Sequence, residues 1–159
     1  MKKWKLLSVI FALFFSLSIL SLADEAYIAS FNILRLGSAK KNMIQTAKIL
    51  QGFDIVGLVE VINRDGVEEL VDELNKQSDE KWDYHISPFG VGSSKYKEYF
   101  AYVYKKDKVK FIKSEGFYKN GKSSLLREPY GATFQIENFD FNKIRAFDSI
   151  KISNLYDIQ

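Results

Sequence analysis

Phe53-Asp54-Ile55-Val56-Gly57-Leu58-Val59-Glu60-Val61 is almost unbroken apolar sequence. Such a run predicts a strand covered on both faces, as in a sheet with layers packed above and below it. Upstream, Tyr27-Ile28-Ala29-Ser30-Phe31-Asn32-Ile33 also carries apolar residues on both faces and leads into Gly37 and Ser38, a turn signal. Between these strands Met43, Ala47 and Leu50 recur at helical spacing among Lys40, Lys41 and Lys48, and Gly52 stands where a helix stop is expected. Downstream, Val67, Leu70, Val71 and Leu74 form the stripe of a second helix, for which Asp65, just before Gly66, is the N-cap candidate. The order β-α-β-α predicts a layered α/β arrangement with helices packed outside a sheet.

From Trp82 onward the pattern changes. Residues 82–87, 99–104, 109–112 and 131–136 are short aromatic or β-branched runs. Polar turns such as Lys105-Lys106-Asp107-Lys108 and Lys119-Asn120-Gly121-Lys122 separate them, which predicts a mainly antiparallel meander. No internal repeat, low-complexity tract or interdomain linker interrupts the chain.

At the N-terminus, Lys2, Lys3 and Lys5 precede an apolar stretch from Leu6 to Leu22, and Ser21 and Ala23 have the spacing of a signal peptidase site. This predicts an export signal cleaved after Ala23, hence a secreted or periplasmic product with no membrane anchor after processing. A membrane span fits less well, because the stretch contains four serines and is followed by acidic Asp24-Glu25. Three of the 23 basic side chains fall in this segment, so 20 remain against 20 acidic ones. Net charge therefore gives no argument for a polyanionic partner, and any such ligand must meet a local cluster. Without cysteine the exported chain has no disulfide framework, and its stability must come from burial or a bound metal.

Two strands end in polar residues without an evident structural task, Asn32 and Glu60. A carboxylate there is costly to bury unless a cation or hydrogen-bond donors receive it. With an amide oxygen on the neighbouring strand, Glu60 makes half of a hard-cation site of the Mg²⁺ type, which uses few protein oxygens and leaves others to a substrate phosphate. Taken alone, the pair also fits a Glu60 that merely sits in water at a strand end.

Ser30-Phe31-Asn32-Ile33 followed by Phe53-Asp54-Ile55-Val56 and Glu60-Val61 resembles the opening of the endonuclease/exonuclease/phosphatase superfamily. Residues 94–100, Ser-Lys-Tyr-Lys-Glu-Tyr-Phe, then Lys108-Val109 and Arg127-Glu128-Pro129, look like its deoxyribonuclease I branch. The resemblance implies a two-sheet sandwich flanked by helices and a metal-dependent hydrolase of DNA phosphodiesters. It assigns Asn32 and Glu60 to a metal and phosphate site for Mg²⁺, with Ca²⁺ left open. It makes Glu98 the support of a catalytic histidine, Tyr96 and Arg64 contacts to the minor groove of double-stranded DNA, and Arg127 a contact to phosphates. Minor-groove contacts discriminate sequence poorly, so weak sequence preference is expected.

The pattern then departs from the family. General acid-base work in this branch needs histidines, and the chain has only His85, in Trp82-Asp83-Tyr84-His85, where the resemblance implies no catalytic role. After Arg127-Glu128-Pro129 no histidine follows, although Ile152-Ser153-Asn154-Leu155-Tyr156-Asp157 again resembles the helix beyond the histidine loop. The expected organisation is a signal peptide at 1–23, the N-terminal part of a deoxyribonuclease I-like domain at 24–141, and a disrupted segment at 142–159. Half of a sandwich is expected to leave Ile28, Phe31, Ile55 and Leu58 in an exposed apolar patch. Three functions follow: a secreted endonuclease whose truncated chain is inactive alone, a noncatalytic secreted binding module or pseudogene product, and a phospholipid-type phosphodiesterase of the same superfamily.

Overall fold

The computed structural model describes residues 26–38, 40–118 and 128–136, together with the backbone of 144–146. The expected signal peptide, the turn at 119–122, Arg127 and most of the segment 142–159 lie outside the described residues.

The strand predicted over 53–61 is β2 (Ile55–Val61), and it pairs in parallel with β1 (Ile28–Leu36). Parallel neighbours need a crossover, and the predicted helix α1 (Met43–Leu50) supplies it. Its N-cap is Asn42, whose Oδ1 accepts from the Gln45 amide at 3.1 Å. Helix α2 (Arg64–Gln77) follows β2. Its cap is Asn63 in place of the expected Asp65: Asn63 Oδ1 accepts from Gly66 N at 3.0 Å, and Asp65 lies in the first turn. An aspartate there meets the positive end of the helix dipole without closing a cap.

Strands β3 (Trp82–Ile86), β4 (Val91–Gly92) and β5 (Lys97–Lys105) are antiparallel, as predicted, but they do not stand apart as a meander. β5 runs alongside β2, so the first sheet has the order β1-β2-β5-β3, with β4 on the start of β5. The second sheet is β6 (Val109–Phe117), β7 (Tyr130–Ile136) and β8 (Ile144–Ala146), in that order. β8 falls inside the segment expected to be disrupted, and it pairs antiparallel with β7.

Alternation along β5 explains the layering. Ala101 and Val103 face the helices and pack with Val56, Leu58, Leu70 and Leu74 in one core cluster. Phe100, Tyr102 and Tyr104 face the other way and pack with Ile55, Tyr130 and Phe134 in a second cluster between the sheets. The expected exposed patch is therefore not found at Ile55 and Leu58, which are 2% and 1% exposed. The strands after residue 108 cover Ile55, and the helices cover Leu58. Ile28 and Phe31 are partly buried against the two clusters.

Candidate active site

β1 and β2 do not end regularly. In their ladder Asn32 pairs with Val59 and Leu36 with Val61, so residues 33–35 stand opposite Glu60 alone. On the other side of β2, Leu58 pairs with Ala101 and Val61 with Tyr99, so a second irregularity meets the same residue. The backbone shows the consequence: Leu34, Arg35 and Glu60 have φ of 50°, 63° and 61°, and they are the only non-glycine residues with positive φ among those described. Each such residue costs on the order of 1–3 kcal/mol and persists only where its surroundings hold it. Bulges of this kind re-aim side chains and cluster beside functional sites.

Here they aim two side chains at each other. Asn32 Nδ2 donates to Glu60 Oε1 at 2.8 Å, and Asn32 Oδ1 accepts from the Leu34 amide at 2.9 Å, which ties the amide to the bulge. The far side of the bulge is clamped to α2. Asn63 Nδ2 donates to the Gly37 carbonyl at 2.9 Å, and Gly37, at φ +92°, leaves no room for a Cβ, which would lie 2.0 Å from Asn63 Oδ1. Gly66 packs in the same joint, with a virtual Cβ 2.7 Å from Gly37 Cα. Glycine at both positions lets the strand end and the helix start approach at backbone distance.

Tyr96 and Glu98 reach the same end of the sheet from β5 and the turn before it. Glu98 is 7% exposed and hydrogen-bonds the Tyr96 phenol. Burial, the Glu98 bond and the negative charge of Glu98 push the Tyr96 phenol above its ordinary range. The Arg35 charge pulls it down, and the Glu60 carboxylate adds to the rise, which places all four groups within electrostatic reach. The Arg35 guanidinium lies 5.1 Å from the centroid of the Tyr96 ring, a cation–π distance. Sequence reasoning passed over Arg35. Its signal was an arginine just before Leu36-Gly37, hidden because nothing in the letters shows the bulge that turns it.

Arg64 goes elsewhere. Its guanidinium sits 5.9 Å from the Tyr84 ring centroid and donates to the Tyr84 hydroxyl at 3.3 Å, while that hydroxyl donates to Glu68 at 2.6 Å. Arg64 lines a cleft of about 550 Å³ between the edge strands β3 and β6, with Tyr84, His85, Ser114 and Tyr130. Neither Glu60 nor Tyr96 lines it. His85 is held between the sheets: its Nε2 is 2.7 Å from the Tyr130 hydroxyl, and its ring stacks on Phe111 at 4.1 Å. Burial, with the Arg64 charge, lowers its pKa from the usual imidazole value.

Glu60 is partly exposed and has one oxygen turned to Asn32, which leaves the other able to meet a hard cation. As oriented, Asn32 offers its nitrogen to Glu60 and its oxygen to the Leu34 amide, so it supports the carboxylate. No cluster of three metal-ligating carboxylates or histidines occurs among the described residues. One or two carboxylate oxygens suit Mg²⁺, which keeps waters and takes substrate oxygens for the rest.

No family model matches the chain. Among curated proteins, it is 30% identical to deoxyribonuclease-1 of Mus musculus over 161 residues, covering 89% of the chain and 56% of that protein. It is 29% identical to a deoxyribonuclease of Thioalkalivibrio sp. (strain K90mix) over 120 residues, covering 75% of the chain and 33% of that protein. The chain thus spans about a third to a little over half the length of these relatives. Among solved structures, an endonuclease/exonuclease/phosphatase from Bacteroides vulgatus superposes with a TM-score of 0.52 at 21% identity, covering 77% of this chain and 51% of that one. A family protein from Bacteroides thetaiotaomicron gives 0.50 at 20% identity, covering 77% and 48%. Those two structures speak for the fold alone, that of the endonuclease/exonuclease/phosphatase proteins, and the alignments make the chain similar in sequence to deoxyribonucleases of the deoxyribonuclease I type over part of their length.

Proposed function

We propose that the chain carries the metal-binding and duplex-binding part of an exported, Mg²⁺-dependent deoxyribonuclease. The observation that carries this reading is the Asn32–Glu60 pair, built by three residues held at positive φ on two adjoining strands. Glu60 would hold the cation, with Asn32 fixing the carboxylate's orientation. When bound, the cation supplies stabilisation of negative charge on a phosphate undergoing in-line attack by water. Tyr96 would lie against the minor groove of double-stranded DNA, and Glu98 keeps its phenol oriented. Arg64 and Arg127 remain candidates for substrate contacts on the resemblance. Ca²⁺ would compete for the same oxygens, with a preference for higher coordination number. Export rests on the basic, apolar and small-residue pattern of residues 1–23.

Leaving-group protonation is the step these residues lack. The one histidine of the chain is engaged with Tyr130 between the sheets, away from Glu98, so this sequence acting alone is expected to bind duplex DNA and to nick it at background rate. That same observation favours a second reading, a noncatalytic exported binding module. Plasmid nicking and duplex binding by the full chain, with Mg²⁺ and with chelator, separate the two. The nuclease-derived reading expects binding that strengthens with Mg²⁺ and weakens in Glu60→Ala. Binding that persists unchanged in chelator and in Glu60→Ala would support the binding module, and absence of duplex binding would sink both. Cleavage of phospholipid head groups in place of DNA would move the chain to a lipid phosphodiesterase.

A further inference from the structure

We infer that the cleft between β3 and β6 binds a small ring-bearing monocarboxylate, with Arg64 and Ser114 meeting the carboxylate and Tyr84, Ile86 and Pro88 lining the space for the ring. The cleft measures about 550 Å³, and none of Asn32, Glu60, Tyr96 and Glu98 lines it, so it is separate from the candidate cation site. Clefts that hold small molecules run from about 300 to 1,000 Å³, so size admits such a ligand.

Two groups in the cleft carry hydrogens that the fold does not use. Ser114 Oγ accepts from the Gly116 amide at 3.1 Å and from the Tyr130 hydroxyl at 2.8 Å, which occupies both of its lone pairs. Its own hydrogen is left to donate, and no acceptor for it lies among the described residues. The Tyr130 hydroxyl, donating to Ser114, accepts in turn from His85 Nε2 at 2.7 Å. His85, Tyr130 and Ser114 thus form a directed chain of donors that starts between the sheets and ends in the cleft.

Arg64 is the second group. One of its nitrogens donates to the Tyr84 hydroxyl at 3.3 Å, and no carboxylate lies within ion-pair distance of its guanidinium among the described residues. A guanidinium fork and a hydroxyl donor call for an acceptor with two oxygens, and a carboxylate matches the fork. Charge selects against phosphate. Arg64 is the one cation lining the cleft among the described residues. Asp83 also lines it, paired with Lys106 at 3.3 Å, and Glu68 stands behind the Tyr84 hydroxyl at 2.6 Å. A doubly charged group would leave one charge unanswered beside these carboxylates, whereas a single charge is met.

The chain has one histidine, so the carbon-bound protons of the His85 ring give NMR resonances that report on this cleft without ambiguity. Benzoate, inorganic phosphate and benzyl alcohol would be titrated into the full chain and into Arg64→Gln, Ser114→Ala and Lys76→Ala. Benzoate should shift the His85 resonances saturably. It should also raise the pH at which His85 titrates: burial and then the Arg64 charge hold that pKa down, and a bound carboxylate offsets the second. Arg64→Gln and Ser114→Ala should each weaken benzoate binding about tenfold. Both replace exposed side chains, and backbone amide spectra like those of the starting protein show that the variants fold. Lys76→Ala, an exposed cation on α2, should leave benzoate binding unchanged. Absence of a benzoate shift, or binding undiminished in Arg64→Gln, would overturn the site. Phosphate or benzyl alcohol binding as tightly as benzoate would overturn the ligand class.

Discussion

β2 has a carboxylate at each end, and the two are treated in opposite ways. Asp54, just before the strand, is 2% exposed and fully received. The Tyr27 amide donates to it at 2.9 Å, Lys108 reaches it at 3.1 Å, and Lys105 lies at 3.4 Å while also pairing with Glu80 at 2.8 Å. Glu60, at the other end, is partly exposed, has a single amide donor among the described residues and sits on backbone at positive φ. Burial pushes the Asp54 carboxyl up, but the Tyr27 amide and the two lysines outweigh it and hold the group below its ordinary value. The comparison teaches that a carboxylate at a strand end is structural when the fold completes its partners. Glu60 is a candidate site because backbone held at positive φ turns it outward with one oxygen engaged by Asn32.

Asp54→Ala leaves the largely buried Lys105 with only Glu80 and should destabilise the protein by about 3 kcal/mol, read from urea unfolding. Its acid dependence has a definite sign. A carboxyl whose folded pKa is depressed contributes stability above its unfolded value, near 3.8, and loses it as pH falls through the folded value. Asp54→Asn should therefore remove part of the unfolding seen below that pH.

Gly66→Ala should cost about 2 kcal/mol, although alanine is the better helix former, because its Cβ would stand 2.7 Å from the Gly37 backbone. If that variant melts like the starting protein, the joint between α2 and the bulge can open to admit a Cβ at little cost. Glu60→Gly should act in reverse, raising stability by about 1 kcal/mol through relief of the positive φ while losing cation affinity. The smallest effect belongs to His85. Its folded pKa is lowered by burial and by Arg64, so its contribution to stability is complete above the unfolded value of 6.5 and declines as pH falls below that. A melting temperature flat between pH 7 and 5 would contradict the stacking of a neutral ring among Phe111, Tyr102 and Tyr130.

Much of this was legible in the letters, for physical reasons. The two-faced strands and the stripes of Leu70 and Leu74 announced the layers, because burial on both sides demands continuous apolar sequence. Asn32 and Glu60 stood out because a polar residue closing an apolar run needs a partner. What stayed hidden depended on register. The place of β5 next to β2, which buries Ile55 beneath the second sheet, is a long-range pairing with no local signature. The bulge that turns Arg35 onto Tyr96 is another, since a slip of pairing re-aims side chains without any change in composition. Asn63, not Asp65, caps α2 because its amide can serve both Gly66 and Gly37, a double task visible only once the strand end is in place.

The most direct test of the central claim is a cation titration of the full chain and of Glu60→Gln, following water proton relaxation by Mn²⁺ with Mg²⁺ as competitor. The expected result is saturable Mn²⁺ binding that Mg²⁺ displaces, lost in Glu60→Gln with no loss of thermal stability. Equal binding by both proteins, or none by either, would contradict it.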